Sequence, residues 1–173
     1  EKLIREMENT MREQFMLSFK EINDNFTKVF KILFNGGKAK LELEAEGDVL
    51  TSGIEIKVQP PGKRLQNLSL LSGGERALTA VALLFAILET RPSPFCVLDE
   101  IDAALDEANI SRFTNYLRKF SDTTQFILIT HRKTTMEISD VLYGVTMAEE
   151  GVSRLISIKM EDHMDEDMDE LVS

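Results

Sequence analysis

The sequence lacks a Gly-x-x-x-x-Gly-Lys-Ser/Thr motif, the glycine-rich loop whose backbone amides cradle phosphate groups. Its two Gly-Lys pairs, Gly37-Lys38 and Gly62-Lys63, are followed by Ala39 and Arg64. Neither pair has the leading glycine that turns the loop or the hydroxyl that coordinates Mg²⁺. We therefore interpret both pairs as ordinary turns, and a complete loop of this kind is absent from the 173 residues.

Cysteine, long apolar runs and secretory features are also scarce or missing. The single cysteine, Cys96, lies in an apolar stretch, which predicts a small buried side chain in a reducing compartment. No apolar run is long enough to cross a membrane, and the first residues carry no secretory pattern. We expect no membrane partner. The length and the 43% apolar content predict one globular domain with a sizeable core.

Positive charge is missing from the carboxyl end of the chain. Residues 161–173 hold seven acids and no Lys or Arg, whereas the net charge of the whole chain is −10. The rest of the chain is only mildly acidic and is compatible with nucleic-acid contact. The composition of residues 161–173 predicts a disordered tail. Candidates for DNA contact are chosen by charge alone, with a solvated surface as the alternative: Lys38, Lys40, Lys57, Lys63 and Arg64.

Residues 1–34 predict one long amphipathic helix. Apolar residues recur at three- and four-residue steps from Ile4 to Leu33, and neither Pro nor Gly interrupts them. The pattern fits the end of a coiled coil that enters a domain, and it also fits an amphipathic helix of the domain itself. Five heptads do not decide between the two interpretations.

The rest of the chain changes from alternating patterns to strand–helix–strand order. Residues 39–46 and 54–58 alternate apolar and charged side chains, which predicts a small antiparallel sheet within residues 35–70. The later elements predicted from periodicity are a buried helix (73–90), a buried strand (95–98), an amphipathic helix (107–120), a second buried strand (125–130), a short helix (133–139) and two final strands (141–147 and 152–159). This order predicts an α/β fold, with a mainly parallel sheet and a small antiparallel part.

Two adjacent carboxylates, Asp99 and Glu100, follow the first buried strand directly. The carboxyl ends of parallel strands are where α/β sheets bind ligands. Asp99 is therefore a candidate Mg²⁺ ligand, acting through water, and Glu100 is a candidate general base that polarises an attacking water. The alternative is that two acids simply begin a solvated loop.

A Ser-Gly-Gly-Glu turn begins the apolar helix: Ser72, Gly73, Gly74 and Glu75. The unpaired amides of a helix N-terminus favour a phosphate group, and glycines let it approach the backbone. The alternative is that Ser72 only caps the helix and that Glu75 closes a capping box. Asp106 can similarly be a helix cap. His131 follows the second buried strand, where it can reach a γ-phosphate or remain an ordinary surface residue.

In this order the motifs resemble those of the ATP-binding cassette superfamily. Residues 71–75 are similar to its signature motif, residues 95–99 to Walker B with Glu100 as the catalytic carboxylate, residues 104–106 to the D-loop, and His131 to the switch histidine. The flanks, residues 101–106 and 129–133, are most similar to one branch. They resemble the C-terminal head lobe of bacterial structural maintenance of chromosomes (SMC) proteins, and the resemblance runs from about residue 15 to residue 160.

The resemblance implies a two-lobed ATPase head of the ABC type. The phosphate-binding loop (Walker A) lies in an N-terminal lobe, and residues 1–34 are the returning coiled-coil end and neck, residues 35–160 the C-terminal lobe and residues 161–173 the tail. ATP and Mg²⁺ are the implied cofactors. Asp99, Glu100 and His131 serve the ATP of their own head, the 72–75 turn reaches the ATP of the opposing head, and Asp106 also binds ATP.

The resemblance also implies partners and a cellular role. The partners are the N-terminal lobe, a second head in a homodimer, a kleisin winged-helix domain on the terminal strands, and DNA. ATP hydrolysis drives chromosome condensation and segregation in the cytoplasm, at the nucleoid, and the isolated chain is expected to be inactive. The alternatives are a transporter nucleotide-binding domain, a coiled-coil DNA-repair ATPase with a zinc-hook cysteine pair, and a binding platform without activity.

Overall fold

The computed structural model describes residues 2–44, 48–149 and 151–160. Its helices are α1 (Lys2–Leu33), α2 (Gly73–Thr90), α3 (Glu107–Arg118) and α4 (Lys133–Met136). Its strands are β1 (Lys38–Leu43), β2 (Ile54–Gln59), β3 (Gln66–Asn67), β4 (Phe95–Asp99), β5 (Gln125–Ile129), β6 (Val141–Glu149) and β7 (Val152–Lys159). The tail at residues 161–173 lies outside the described residues, so its predicted disorder stays a prediction.

The long helix α1 is buried at one end and exposed at the other. Its carboxyl-terminal turns place an apolar stripe on the core, with no exposed surface at Phe26, Val29, Phe30 and Leu33. Its first turns carry apolar side chains that are more than half exposed: Leu3, Ile4, Met7 and Met11. The predicted helix is confirmed. The exposed stripe is typical of a helix that packs on a further partner.

Helices α2 and α3 share an aromatic cluster that forms the centre of the core. Phe85 of α2 is fully buried, and its ring centroid lies 5.0 Å from that of Tyr116 and 5.5 Å from that of Phe120. Phe113 completes the cluster at 6.1 Å from Phe85. Because α2 is anchored here and against α1, its amino-terminal turn has a fixed position at the edge of the domain.

The strands form three separate sheets. β1, β2 and β3 make an antiparallel sheet, β4 and β5 a parallel pair, and β6 and β7 an antiparallel hairpin. The predicted antiparallel sheet and the β4–α3–β5 unit are confirmed. The prediction of a mainly parallel sheet is wrong for the described residues, because a single strand pair among them is parallel.

β4 and β5 are also less buried than their apolar sequences predict. Leu98 is buried, and Phe126 and Leu128 pack partly against the core. The alternate side chains point to the opposite face and are 48–57% exposed: Phe95, Val97, Ile127 and Ile129. A continuous apolar run predicts cover on both faces, and the described residues cover only one.

Candidate functional site

The backbone turns sharply where β4 ends. Asp99 is the last residue of β4, and Glu100 follows it in the left-handed region with φ +47°. Two hydrogen bonds hold this turn: the amide of Glu100 donates to the Ile129 carbonyl at 2.9 Å, and the amide of Ala103 donates to the Glu100 carbonyl at 3.1 Å. A positive φ at a non-glycine residue is strained, and such strain is concentrated at functional sites.

The structure brings Glu100 and His131 together. Nδ1 of His131 lies 3.9 Å from Oε1 of Glu100, and the two side chains are 67% and 64% exposed. They meet because β4 and β5 are parallel and in register, with Asp99 opposite Ile129, and both residues follow these strand ends. A carboxylate and an imidazole therefore face solvent at the edge of the strand pair where α/β sheets bind ligands.

The Ser-Gly-Gly-Glu turn is a capping box at the start of α2. The Ser72 hydroxyl donates to Glu75 Oε2 at 2.7 Å, and the Ser72 amide donates to the same oxygen at 3.1 Å. The amide of Glu75 donates to Ser72 Oγ at 3.4 Å, which completes the box. The prediction that Ser72 caps the helix and that Glu75 closes a capping box is therefore confirmed. A Cβ placed at Gly73 meets no atom within 4 Å, so a ligand can still approach this backbone.

Lys63 contacts this turn, although the sequence marks it only by its charge, as a candidate for DNA contact or as a solvated surface residue. Its Nζ lies 2.8 Å from Oε1 and 2.9 Å from Oε2 of Glu75. The Lys63 ammonium, and next the Ser72 hydroxyl, lower the pKa of Glu75. Because a tertiary fold brings the Pro-Pro-Gly-Lys loop to α2, no local sequence signal predicts the contact.

Asp106 is a helix cap, as one of its two interpretations from the sequence predicted. It precedes α3, and its Oδ1 accepts a hydrogen bond from the Asn109 amide at 2.8 Å. The side chain is exposed, at the end of the loop that starts at Glu100. Asp106 therefore fixes the beginning of α3.

Sequence reasoning missed two residues beside the motifs, Asp102 and Arg132. Asp102 is 1% exposed and accepts hydrogen bonds from Thr130 and Thr135. Arg132 donates to the carbonyls of Ala103 and Leu105. Both follow motif residues closely in sequence, but only the folded arrangement of the β4 and β5 ends shows that they contact these partners.

Five motif residues are exposed to solvent: Ser72, Asp99, Glu100, Asp106 and His131. A largely apolar cleft of about 300 Å³ lies between α1, β2 and α2, and it is lined by Phe15, Phe19, Ile22, Ile56 and Ile87 among others. A second cleft of about 380 Å³ lies beside Glu89 and Tyr116. Neither contains a motif residue, which is expected if a further surface completes the site.

The donor groups fit a partial site for Mg²⁺ and phosphate. No cluster of three or more metal-binding side chains occurs in residues 2–44, 48–149 and 151–160. Mg²⁺ retains waters and takes one or two carboxylates together with substrate phosphates, so the exposed Asp99 carboxylate is a suitable single protein ligand. The open amides at the α2 N-terminus suit a phosphate oxygen.

Among the described parts of the chain, no helix combines the length and the apolar character needed to cross a membrane.

An α/β unit with carboxylates and a histidine at the carboxyl ends of its parallel strands has the general form of a nucleotide-binding fold. Residues 5–154 match the family described as the RecF/RecN/SMC N terminal domain. The chain belongs to this family.

Relatives and solved structures agree with the family match. The chain is 62% identical over 160 residues to the chromosome partition protein Smc of Bacillus subtilis (strain 168), which covers 92% of this chain and 14% of that protein. It therefore spans about one seventh of this relative's length. A solved structure from work on ATP-driven dimerization and DNA-stimulated activation of SMC ATPases is 39% identical, with a TM-score of 0.78 over 94% of this chain and 98% of that one.

An SMC head from Pyrococcus furiosus, solved with an extended coiled coil and bound to the C-terminal domain of ScpA, is 40% identical. Its TM-score is 0.85, and the match covers 99% of this chain and 43% of that one. The fold is thus that of an SMC ATPase head with mixed helix and sheet. The predicted resemblance to the SMC family is confirmed.

Proposed function

We propose that this chain is the C-terminal lobe of an SMC head, which binds and hydrolyses ATP when an N-terminal lobe supplies the phosphate-binding loop. The open apolar face of β4 and β5 carries this proposal. Four of its side chains, Phe95, Val97, Ile127 and Ile129, are about half exposed and adjoin the strand ends that hold Glu100 and His131. Parallel strands are normally covered on both faces, and exposed apolar patches mark protein interfaces.

Within the completed head, three residues serve the ATP bound by their own N-terminal lobe. Asp99 would hold Mg²⁺ through water, and the ion, when bound, would neutralise charge on the phosphates. Glu100 accepts a hydrogen bond from the attacking water and polarises it, and the strained turn fixes where its carboxylate stands. His131 is adjacent to Glu100 and donates a hydrogen bond toward the γ-phosphate.

The turn of residues 72–75 serves the ATP bound on an opposing head. The Ser72 hydroxyl now donates to Glu75 Oε2, so it must exchange this carboxylate for a phosphate oxygen when the heads meet. When Glu75 loses the Ser72 hydrogen bond, Lys63 can still balance the charge of its carboxylate, because the ammonium contacts both oxygens. Asp106 also contributes to ATP binding. Two ATP molecules then join two identical heads.

The remaining partners follow from the relatives. The Pyrococcus furiosus head was solved bound to the C-terminal domain of ScpA, and we assign the equivalent kleisin winged-helix contact to the β6–β7 hairpin. This hairpin exposes more than half of Tyr143, Val145, Leu155 and Ile156. DNA is the further partner, and the proposed role is chromosome condensation and segregation in the cytoplasm, at the nucleoid. Similarity to a chromosome partition protein favours this role over the transporter and DNA-repair alternatives.

The test is reconstitution. The chain is purified alone and also co-expressed with the N-terminal lobe of the same protein, and phosphate release from ATP is followed in both samples. The reconstituted head should hydrolyse ATP, and the chain alone should not. The same preparation carrying Glu100→Gln controls for a contaminating ATPase. An inactive reconstituted head that nevertheless forms a stable two-lobe complex would contradict the proposal.

A further inference from the structure

Asp102 is a buried carboxylate that joins the ends of β4 and β5. It is 1% exposed, and its Oδ2 accepts hydrogen bonds from the Thr130 hydroxyl at 2.7 Å and from the Thr135 hydroxyl at 2.5 Å. Burial of a carboxylate costs free energy unless hydrogen bonds compensate it. Asp102 therefore ties the loop after Glu100 to the segment that carries His131.

Arg132 makes a second connection between the same two segments. Its Nη2 donates to the Ala103 carbonyl at 2.9 Å and to the Leu105 carbonyl at 3.3 Å, so it holds the backbone on both sides of Ala104. Its own amide donates to Thr130 Oγ1 at 2.9 Å. Asp102, Thr130, Arg132 and Thr135 thus form one hydrogen-bonded group, which we call the clamp.

The clamped loop also contacts the start of α2. A Cβ placed at Gly74 would lie 3.1 Å from the Ala104 carbonyl oxygen, which is closer than ordinary van der Waals contact. Gly74 therefore allows the Ala104 backbone to pack directly on the 72–75 turn. A continuous path of contacts runs from the His131 segment through the clamp and Ala104 to this turn.

The clamp is not fully satisfied. Two of its buried atoms, Asp102 Oδ1 and Arg132 Nε, have no hydrogen-bond partner among the residues that the structure describes. Buried polar groups are generally paired, so these two atoms are exceptions.

We infer that Asp102 and Arg132 are positioning residues that keep the Glu100–His131 pair and the 72–75 turn in one fixed relation, so that the two nucleotide-facing surfaces of a head act together. The inference rests on the proposed function. Neither residue touches ATP in this account. Their effect passes through the backbone of residues 103–105.

Substitutions that remove single clamp bonds test the inference in the complete two-lobe head. Thr135→Val removes one donor to Asp102 at nearly constant volume, Thr135→Ser retains the hydroxyl, and Arg132→Lys retains the charge but loses the planar fork. Thr114→Val is the matched control, because Thr114 is also buried but its hydroxyl donates to the Ser111 carbonyl of its own helix.

Four readouts separate positioning from a structural role. Turnover should fall about ten- to a hundredfold in Thr135→Val and Arg132→Lys, whereas ATP affinity of a single head should change less than about twofold. ATP-dependent head dimerisation, measured in a Glu100→Gln background, should weaken in both variants although hydrolysis is already blocked. Amide exchange should rise at residues 73–75, which neither substituted side chain contacts. Thr135→Ser and Thr114→Val should behave like the unsubstituted head.

The outcomes separate the inference from the proposed function. If the unsubstituted head hydrolyses ATP and the two clamp variants match it in turnover, dimerisation and exchange, the inference is wrong and the proposed function stands. If Thr135→Ser loses as much activity as Thr135→Val, or all losses follow a lowered melting temperature, the clamp is only structural and the inference is again wrong. If the unsubstituted head does not hydrolyse ATP, both are wrong.

Discussion

Nδ1 of His131 lies 3.9 Å from Oε1 of Glu100, although the helix α3 and the strand β5 separate the two residues in sequence. The parallel register of β4 and β5 sets this distance, because it aligns Asp99 with Ile129 and so brings both strand ends to one edge. The arrangement places a carboxylate and an imidazole where a parallel strand pair binds its ligand. It does so on a surface that remains open to solvent.

Glu100→Gln should slow ATP turnover of the completed head about 10²- to 10⁴-fold, because the amide cannot act as a general base. ATP binding should persist, and ATP-bound head dimers should accumulate. Single-turnover hydrolysis and size-exclusion chromatography measure the two effects. Glu21→Gln, at an exposed position of α1, is the matched control. A steady-state rate equal to that of the control would show that Glu100 has another role.

Much of the fold was predictable because it depends on local periodicity. The stripe in α1, the alternation in β1 and β2, and the order β4–α3–β5 each appear in the sequence at the positions where the structure has them. The predicted two-sided burial of β4 and β5 was wrong for a physical reason. An apolar pattern such as Phe95–Asp99 shows that a strand requires cover, and it does not show which segment supplies that cover.

The site was predictable only in part. Glu100 and His131 were selected because each follows an apolar strand, and the structure brings them together. Asp102 and Arg132 were missed, and the Lys63–Glu75 contact was not predicted. These contacts arise when distant segments pack, and a side chain's partner across a fold leaves no periodic signal. The assigned roles of Asp99, Glu100, His131, Asp106 and the 72–75 turn stay predictions.

Two phenylalanine substitutions should separate folding from lobe association. Phe85→Ala removes the centre of the buried aromatic cluster and should cost about 3–5 kcal/mol of unfolding free energy. Phe95→Ala alters a side chain that is 57% exposed and should cost this chain less than about 1 kcal/mol. Urea denaturation measures both values.

Phe95→Ala should weaken binding to the N-terminal lobe, although it hardly affects the stability of this chain. Phe95→Ala should weaken association measurably in calorimetric titration, because the residue lies on the apolar face proposed to be covered. Leu70→Ala is a control at another exposed apolar position, 70% exposed and outside that face. Equal affinities for Phe95→Ala and the unsubstituted chain would place the lobe contact elsewhere.

Ser72→Arg should block ATP-dependent head dimerisation and leave ATP binding by a single head unchanged. The bulky cation displaces the hydroxyl proposed to face the partner's nucleotide. It also removes a helix cap, at a cost of about 0.5–2 kcal/mol. Nucleotide binding by fluorescence and dimerisation by light scattering separate the two steps. Ser121→Arg, in an exposed turn, is the matched control. Loss of ATP binding to the single head would contradict the assignment of Ser72 to the opposing head.

The Lys63–Glu75 ion pair should stabilise the fold at neutral pH and lose this effect at acidic pH. Lys63 and Ser72 lower the pKa of Glu75 below its ordinary value of 4.5 in the folded chain. The ionised carboxylate therefore stabilises the fold above that ordinary value, and the contribution is lost as the pH falls through the lowered pKa. Because Lys63 is 48% exposed, we expect a contribution of about 0.2–1 kcal/mol.

In Lys63→Met, the unfolding free energy should fall less from about pH 7 to about pH 3 than it does in the unsubstituted chain. Urea denaturation at the two pH values measures this difference. Lys20→Met, at an exposed position of α1, should leave the difference unchanged. If both variants show the same pH dependence as the unsubstituted chain, Lys63 does not stabilise the ionised Glu75.

A mixing experiment with two inactive heads shows directly whether Glu100 and Ser72 act on different nucleotides. A Ser72→Arg head retains Glu100, and a Glu100→Gln head retains Ser72. If Glu100 acts on its own head's ATP and Ser72 on the partner's, a mixed dimer contains one complete site. Phosphate release should then appear on mixing and rise with the fraction of mixed dimers. If light scattering shows mixed dimers and the rate still never exceeds the sum of the two separate heads, this assignment is contradicted and Glu100 and Ser72 lie in one pocket of one head.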